Sequence, residues 1–161
     1  MRSTNHAAGE TDAALPPLGP QLEFMRLLWA IDHGLQTRSK RMAATLGITG
    51  PQRLVVRIVG RFPGVSAGQL ARILHLDPST LTGILRRLEH AGLLRRRRDP
   101  RDRRRAVLGL SAAGRRLDVV TAGTIESAMR DLLRALPPRK LEVTREVLTA
   151  IAVGLDQGST T

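Results

Sequence analysis

The fold is decided by the stretch SAGQLARILHLDPSTLTGILRRLEHAG, residues 66–92 of a chain of 161 residues. Ser66 and Gln69 have the spacing of a capping box, which predicts the first turn of a short helix. Asp77 is a good N-cap and Pro78 a good first helical residue, so a second helix is predicted to begin after a tight turn. Two short helices in this arrangement are typical of the DNA-binding helix-turn-helix.

The second helix of this pair has one apolar and one polar face. On a wheel of 3.6 residues per turn, its leucines and isoleucine fall on one side. Small polar residues and arginines fall on or near the other side: Ser79, Thr82, Gly83, Arg86 and Arg87. Small residues allow close approach to DNA and arginine can bridge guanine O6 and N7, so this face suits the major groove. The same pattern also fits an amphipathic surface helix with solvated arginines.

The next stretch, LLRRRRDPRDRRRAVLGL at residues 93–110, predicts a basic hairpin or wing. Its two short segments, 93–97 and 106–110, flank a charged loop. Residues 86–105 hold ten arginines and three acidic residues, so they carry +7 of the chain's net charge of +12. Such density repels itself on a free surface but is neutralised against phosphates, and an arginine at the loop tip suits the narrow minor groove. A solvated charged face is the alternative, which the preceding helix-turn-helix disfavours.

Long amphipathic helices are predicted on both sides of this lobe. An apolar stripe at three- and four-residue steps predicts a helix over residues 21–46. Ser111 is predicted to cap one long helix whose stripe runs from Leu117 to Leu136, and a last helix follows a proline pair. A compact domain of about 70–90 residues cannot cover these stripes, which indicates a homodimer with two reading heads about one DNA turn apart.

The predicted fold class is mainly α with a small β-hairpin wing: a winged helix-turn-helix with long N- and C-terminal dimerisation helices. The predicted organisation is a flexible N-terminal arm over residues 1–20, an N-terminal dimerisation helix over 21–48, a DNA-binding lobe over 49–110, C-terminal dimerisation helices over 111–157 and a tail over 158–161.

The composition excludes several classes of protein. Without cysteine there is no disulfide, thiolate metal site or thiol-oxidation switch, and with 2% aromatic residues the core must be aliphatic. No apolar run approaches the ~20 residues of a membrane span, so we expect a cytoplasmic protein without a membrane partner. No catalytic motif and no metal-ligand spacing stands out, so we expect neither an enzyme nor a cofactor or metal. All but Lys40 and Lys140 of the 26 basic residues are arginine, which fits either phosphate binding or a GC-rich genome.

Two blocks of the sequence resemble the MarR family of bacterial transcription regulators. DPRDRR at residues 99–104, with Ser111 and Gly114 after it, is similar to that family's wing and the helix start that follows. Residues 70–93 resemble its helix-turn-helix, and the match is strong over about residues 45–117. The resemblance implies a homodimer that binds a pseudo-palindromic operator in double-stranded DNA, with repression the commoner mode of action.

Individual DNA-binding residues are predicted from three sources together: the polar face of the second helix, the basic block at residues 86–105, and the resemblance. They are Ser79, Thr80, Thr82, Gly83, Arg86, Arg87, Arg97, Asp99, Arg101, Asp102, Arg103 and Arg104. In that family's pattern, Asp99 and Asp102 would order the wing. Arg101, Arg103 or Arg104 would reach the minor groove.

The resemblance further implies a small-molecule effector, often phenolic, bound between the dimer helices and the DNA-binding lobe. Trp29 and His33, four residues apart on the first helix, are the candidate effector-binding residues. The alternative is a core tryptophan and a surface histidine, and the near absence of aromatic residues argues against a large aromatic pocket. A basic architectural protein that binds DNA or RNA without regard to sequence is the rival function, although it would not need a structured wing.

Overall fold

The structure, a computed structural model, describes residues 17–99, 102 and 106–157. In these residues the chain forms seven helices and one two-stranded antiparallel sheet. In chain order the elements are α1 (Pro20–Leu46), α2 (Gly50–Arg61), α3 (Ala67–Leu74), α4 (Pro78–His90), β1 (Leu94–Arg98), β2 (Ala106–Leu110), α5 (Ala112–Leu117), α6 (Ile125–Arg134) and α7 (Pro138–Gln157). The predicted fold class, mainly α with a β-hairpin wing, is confirmed.

The chain divides into two compact units, residues 1–33 and 34–161. The described part of the first unit is mainly the start of α1, whose apolar side chains are largely exposed, with Phe24 at 51% and Trp29 at 62%. The second unit contains the remaining elements and the main core. Most of the predicted arm and the tail at residues 158–161 lie outside the described residues.

The core of the second unit lies among α2, α3, α4 and the hairpin, because each of these elements has one apolar face. Its buried members are Ile48, Val55, Val56, Val59, Val65, Leu70, Ala71, Leu81, Ile84, Leu85, Leu88, Leu94 and Leu108. All of them are aliphatic, as the composition predicts. Burying one such leucine or isoleucine contributes about 1.5–3 kcal/mol, so these side chains hold α4 firmly against α2, α3 and the hairpin.

Side-chain caps define the helix starts, and they include the caps predicted at Ser66 and Asp77. The Thr49 Oγ1 accepts from the Gln52 N–H at 3.4 Å, and the Gln52 Oε1 accepts from the Thr49 N–H at 3.0 Å, which completes a capping box at α2. Ser66 and Gln69 form the same box at α3. Asp77 accepts from the Ser79 N–H at 2.7 Å and begins α4. These local hydrogen bonds set the lengths of the helices and of the turn between them.

The wing is an antiparallel hairpin in which Leu94 pairs with Leu110 and Arg98 pairs with Ala106. A further pairing of β2 was not predicted from the sequence. The Leu108 N–H donates to the Val65 carbonyl at 2.9 Å, and the Leu108 carbonyl accepts from the Gly64 N–H at 3.1 Å. Backbone bonds therefore fasten the wing to the turn before α3, so the hairpin does not rely on its own two strands.

The prediction of one long helix from Ser111 is wrong. The structure has a short α5 that ends at Leu117, an irregular linker over residues 118–124, and a new helix, α6, that Thr124 caps. Gly123 has a φ of 80° in the linker, which a continuous right-handed helix does not allow. The linker's carbonyl groups bind a side chain of α2 instead of continuing the helix, as described below.

Candidate nucleic-acid interface

α4 presents the predicted face to solvent. Leu81, Ile84, Leu85 and Leu88 are buried and fix the rotation of the helix about its axis. The opposite side leaves one set of residues exposed: Ser79, Thr80, Thr82, Arg86 and Arg87. Gly83 is half-buried, and the space where a Cβ would lie has no atom within 4 Å. The helix thus exposes small polar residues in its first turns and two arginines about one turn after Thr82.

Two hydroxyls at the start of α4 already have partners within the chain. The Ser79 Oγ donates to the Asp77 carboxylate at 2.5 Å, and the Thr82 Oγ1 donates to the Pro78 carbonyl at 2.7 Å. The side-chain hydrogen bond from Ser79, followed by backbone bonds, holds the pKa of Asp77 below its usual value. The carboxylate therefore stays ionised as an N-cap, and the hydroxyl oxygens retain lone pairs that can accept further hydrogen bonds.

β1 carries a row of exposed arginines, residues 95–98, away from the buried Leu94 at the base of the wing. Glu89 of α4 orients Arg96, because the Arg96 Nε donates to the Glu89 Oε1 at 2.5 Å. Arg97 is exposed on the same strand. The Arg96–Glu89 ion pair therefore joins the basic strand of the wing to α4.

At the wing tip, Asp99 is half-buried and Asp102 is exposed. The predicted contacts Arg101, Arg103 and Arg104 lie outside the described residues. Their roles therefore remain predictions from the sequence.

The junction between the wing and α5 is tightly packed around backbone atoms. The Ser111 N–H donates to the Leu93 carbonyl at 3.0 Å, and the Ser111 Oγ donates to the Gly92 carbonyl at 2.6 Å and accepts from the Gly114 N–H at 3.0 Å. A Cβ on Gly114 would lie 2.1 Å from the Leu93 carbonyl oxygen. This close approach is the physical reason for a glycine three residues after the cap.

The linker between α5 and α6 is held by two arginines of α2, which the sequence analysis missed. Arg53 is 2% exposed; its Nη1 and Nη2 donate to the carbonyls of Leu117 at 2.9 Å and Val119 at 2.7 Å, and its Nε donates to the Glu126 carboxylate at 2.5 Å. Arg57 donates to the Asp118 carboxylate at 2.5 Å. We call these six residues, Arg53, Arg57, Leu117, Asp118, Val119 and Glu126, the arginine junction. One feature of the sequence could have indicated that Arg53 is buried: it lies one turn before Val56, on the apolar face of α2.

Burial raises the pKa of Glu126, but the hydrogen bond and charge of Arg53, together with hydrogen bonds from the Glu126 backbone and Thr124, outweigh this effect, and the pKa lies below its ordinary value. A lowered carboxyl pKa stabilises the folded state above the unfolded-state pKa, and this contribution is lost as the pH falls through the folded-state pKa. The ion pair is therefore complete at neutral pH.

The two candidate effector residues are both exposed on α1. Trp29 is 62% exposed, and His33 is also exposed. Among the described residues, no group of three His, Cys, Asp or Glu side chains could hold a metal ion. None of the helices described is both long and apolar enough to cross a membrane.

A helix-turn-helix whose polar face is exposed, followed by a basic two-stranded wing, defines a winged-helix DNA-binding protein. The family model described as "MarR family" matches residues 48–106. An HTH-type transcriptional repressor of Mycobacterium tuberculosis is 29% identical over 74% of this chain and 86% of its own length.

Solved structures agree with this match. The PcaV transcriptional regulator from Streptomyces coelicolor, solved with its natural ligand, is 26% identical, with a TM-score of 0.63 over 84% of this chain and 92% of its own. The S. aureus MepR–DNA complex is 22% identical, with a TM-score of 0.67 over 82% and 97%. Residues 48–106 of this chain therefore match the MarR family of transcription regulators, to which the sequence was predicted to be similar.

Proposed function

We propose that this protein is a homodimeric repressor that binds an inverted-repeat operator in double-stranded DNA. In each protomer α4 lies in the major groove, and Ser79, Thr80, Thr82 and Arg86 contact base edges or phosphates there. The observation that carries this proposal is the exposed polar face of α4, which four buried apolar residues hold in one orientation. A rigid reading surface is what sequence-specific recognition requires.

The wing supplies the second contact, in the flanking minor groove. Arg97, Arg101, Arg103 and Arg104 belong to the basic block and bind phosphates or the groove floor, while Asp99 and Asp102 order the loop. Arg87 and the half-buried Gly83 complete the contacts of α4, the first with a phosphate and the second by allowing close approach. The ten arginines of this block predict a steep loss of affinity with added salt.

The homodimer is supported by the apolar surface of the terminal helices. Leu132 on α6 is 62% exposed and Leu155 on α7 is 68% exposed, and α1 leaves Phe24 and Trp29 more than half exposed. Large apolar side chains exposed in this number usually mark an interaction surface. A second copy of the chain that covers these helices would place two α4 helices on one face of the DNA.

Selection of bound duplexes from random-sequence DNA tests the proposal. We expect the wild-type protein to recover an inverted repeat, and to bind it at least about 10³-fold more tightly than a scrambled duplex of equal length at physiological salt. A reporter gene placed behind that repeat should be repressed when the protein is expressed. Equal affinity for both duplexes would instead indicate the sequence-indifferent architectural protein.

Arg86→Ala is expected to weaken operator binding by ~1–3 kcal/mol and to relax the preference at one base-pair position. The reason is that one arginine forms a bidentate contact with one guanine. Mobility shifts on operators with single base-pair changes measure the effect. Arg139→Ala, an exposed arginine on α7, is the control and should bind like the wild type. A uniform loss on all operators would assign Arg86 to the phosphate backbone.

We also propose that a small phenolic effector binds beside Trp29 and His33 and releases the operator. Support comes from the exposed indole and imidazole, four residues apart on α1, and from a family neighbour solved with its natural ligand. A ligand releases DNA only if it binds the DNA-free form more tightly.

Trp29 is the single tryptophan of the chain, so its fluorescence reports directly on this site. We expect 4-hydroxybenzoate to change the emission in a saturable titration and to displace operator DNA over the same concentration range. His33→Ala should shift both curves together to higher concentration. Displacement of DNA without a change in emission would place the effector elsewhere.

A further inference from the structure

Among the described residues, Arg53 is the one charged residue that is buried, with 2% of its surface exposed. A buried guanidinium is tolerated only when its donors are satisfied. Here Nε, Nη1 and Nη2 each have an acceptor, and all three acceptors belong to the segment from the end of α5 to the first turn of α6. The burial of this charge therefore depends on one conformation of the linker.

The arginine junction also matches the ends of both helices. The Leu117 carbonyl is one of the last carbonyls of α5, which have no partner within the helix, and the cation of Arg53 caps it. Glu126 lies in the first turn of α6, where a carboxylate is favoured by the helix dipole. Arg53 thus satisfies a carbonyl at the end of α5, and its partner Glu126 stabilises the start of α6.

Packing beside the junction leaves little freedom for the linker. A Cβ on Gly60 of α2 would lie 2.0 Å from an Asp118 carboxylate oxygen, so the linker lies directly on the helix. At the other end of α2, a Cβ on Gly50 would lie 2.7 Å from the Ile125 side chain. Glycines at both ends of α2 allow this approach, and the arginines between them hold it.

The junction connects the two functional halves of the protein. On one side, α2 packs through Val55, Val56 and Val59 into the core that carries α4. On the other side, α6 continues into exposed apolar residues, Met129, Leu132, Leu133 and Leu136, the last just past its end. Among the described residues, every ion pair that joins α2 to the segment after α5 belongs to the arginine junction.

We propose that Arg53 and Glu126 are positioning residues that fix α4 relative to α6, the helix assigned to the proposed dimer interface. They thereby set the spacing between the two half-sites that the dimer accepts. The inference rests on the proposed homodimer and inverted repeat. If the junction only stabilised the lobe, its loss would weaken all DNA binding equally. If it sets spacing, its loss affects a full repeat and leaves a single half-site unchanged.

The test uses the inverted repeat that the wild-type protein selects, a duplex with one half-site, and repeats lengthened by one or two base pairs. Glu126→Gln keeps the size of the side chain and removes its charge, and Arg53→Lys keeps the charge but loses the forked donors. Asp131→Asn is the matched control, because it removes a carboxylate from an exposed ion pair on the same helix. Light scattering and thermal melting check that each variant is a folded dimer.

We expect both junction variants to bind the half-site within about twofold of the wild type, and the full repeat about tenfold more weakly. Their preference for the native spacing over the longer repeats should flatten, while Asp131→Asn behaves like the wild type. A parallel loss on half-site and full repeat, or an unchanged spacing preference in folded dimers, would overturn the inference. Failure of the wild type itself to select an inverted repeat would reject the proposed function.

Discussion

Gly114→Ala is expected to destabilise the protein by about 3 kcal/mol, which is a large part of the stability of a small domain. The added methyl carbon would lie 2.1 Å from the Leu93 carbonyl oxygen and 3.1 Å from its carbonyl carbon. These are backbone atoms, and the same carbonyl accepts the Ser111 N–H, so neither side can move without breaking the joint between wing and α5. Urea denaturation followed by circular dichroism measures the change.

Gly68→Ala provides the control for this prediction. It adds the same methyl group to a helical glycine, but nothing lies within 4 Å of the new carbon. Alanine is the better helix former, so this variant should be unchanged or more stable by up to about 1 kcal/mol. Equal unfolding midpoints for the two variants would contradict the prediction. They would show that the backbone around Leu93 and Gly114 can move to accommodate the methyl group.

Local chemistry explains why so much of the lobe was predictable from the sequence. The caps at Thr49, Ser66, Asp77 and Ser111 each bond to a group two or three residues away. Because these hydrogen bonds are local, the residue pattern alone is enough to predict where such helices begin. The polar face of α4 follows from the same periodicity, since its apolar residues have only one core to enter. The exposure of its candidate DNA contacts is therefore a consequence of the sequence.

The break between α5 and α6 could not be found in this way. Apolar residues continue at helical spacing from Leu117 onward, and a single helix satisfies that pattern. The deciding partner, Arg53, is 73 residues before Glu126, and its guanidinium offers the linker carbonyls an alternative to helical hydrogen bonds. A pairing of this kind depends on the tertiary fold, as does the pairing of β2 with the turn before α3.

Leu132→Glu is expected to convert the protein to monomers and to lower its affinity for the inverted repeat by more than about 100-fold. Leu132 is 62% exposed and lies between Met129 and Leu136 on the apolar stripe of α6. A carboxylate there would be desolvated in the dimer without a partner, and separate lobes lose the advantage of binding two half-sites at once. Light scattering and mobility shifts measure the two effects.

Arg130→Gln is the matched variant for this last prediction. It makes the same change of −1 in net charge on the same helix, but its side chain points away from the apolar stripe and forms an exposed ion pair with Asp131. We therefore expect a dimer with nearly unchanged operator affinity. If Leu132→Glu stays dimeric, another surface joins the protomers. If it becomes monomeric yet keeps full affinity, one lobe alone accounts for operator binding, and the second copy has no part in recognition.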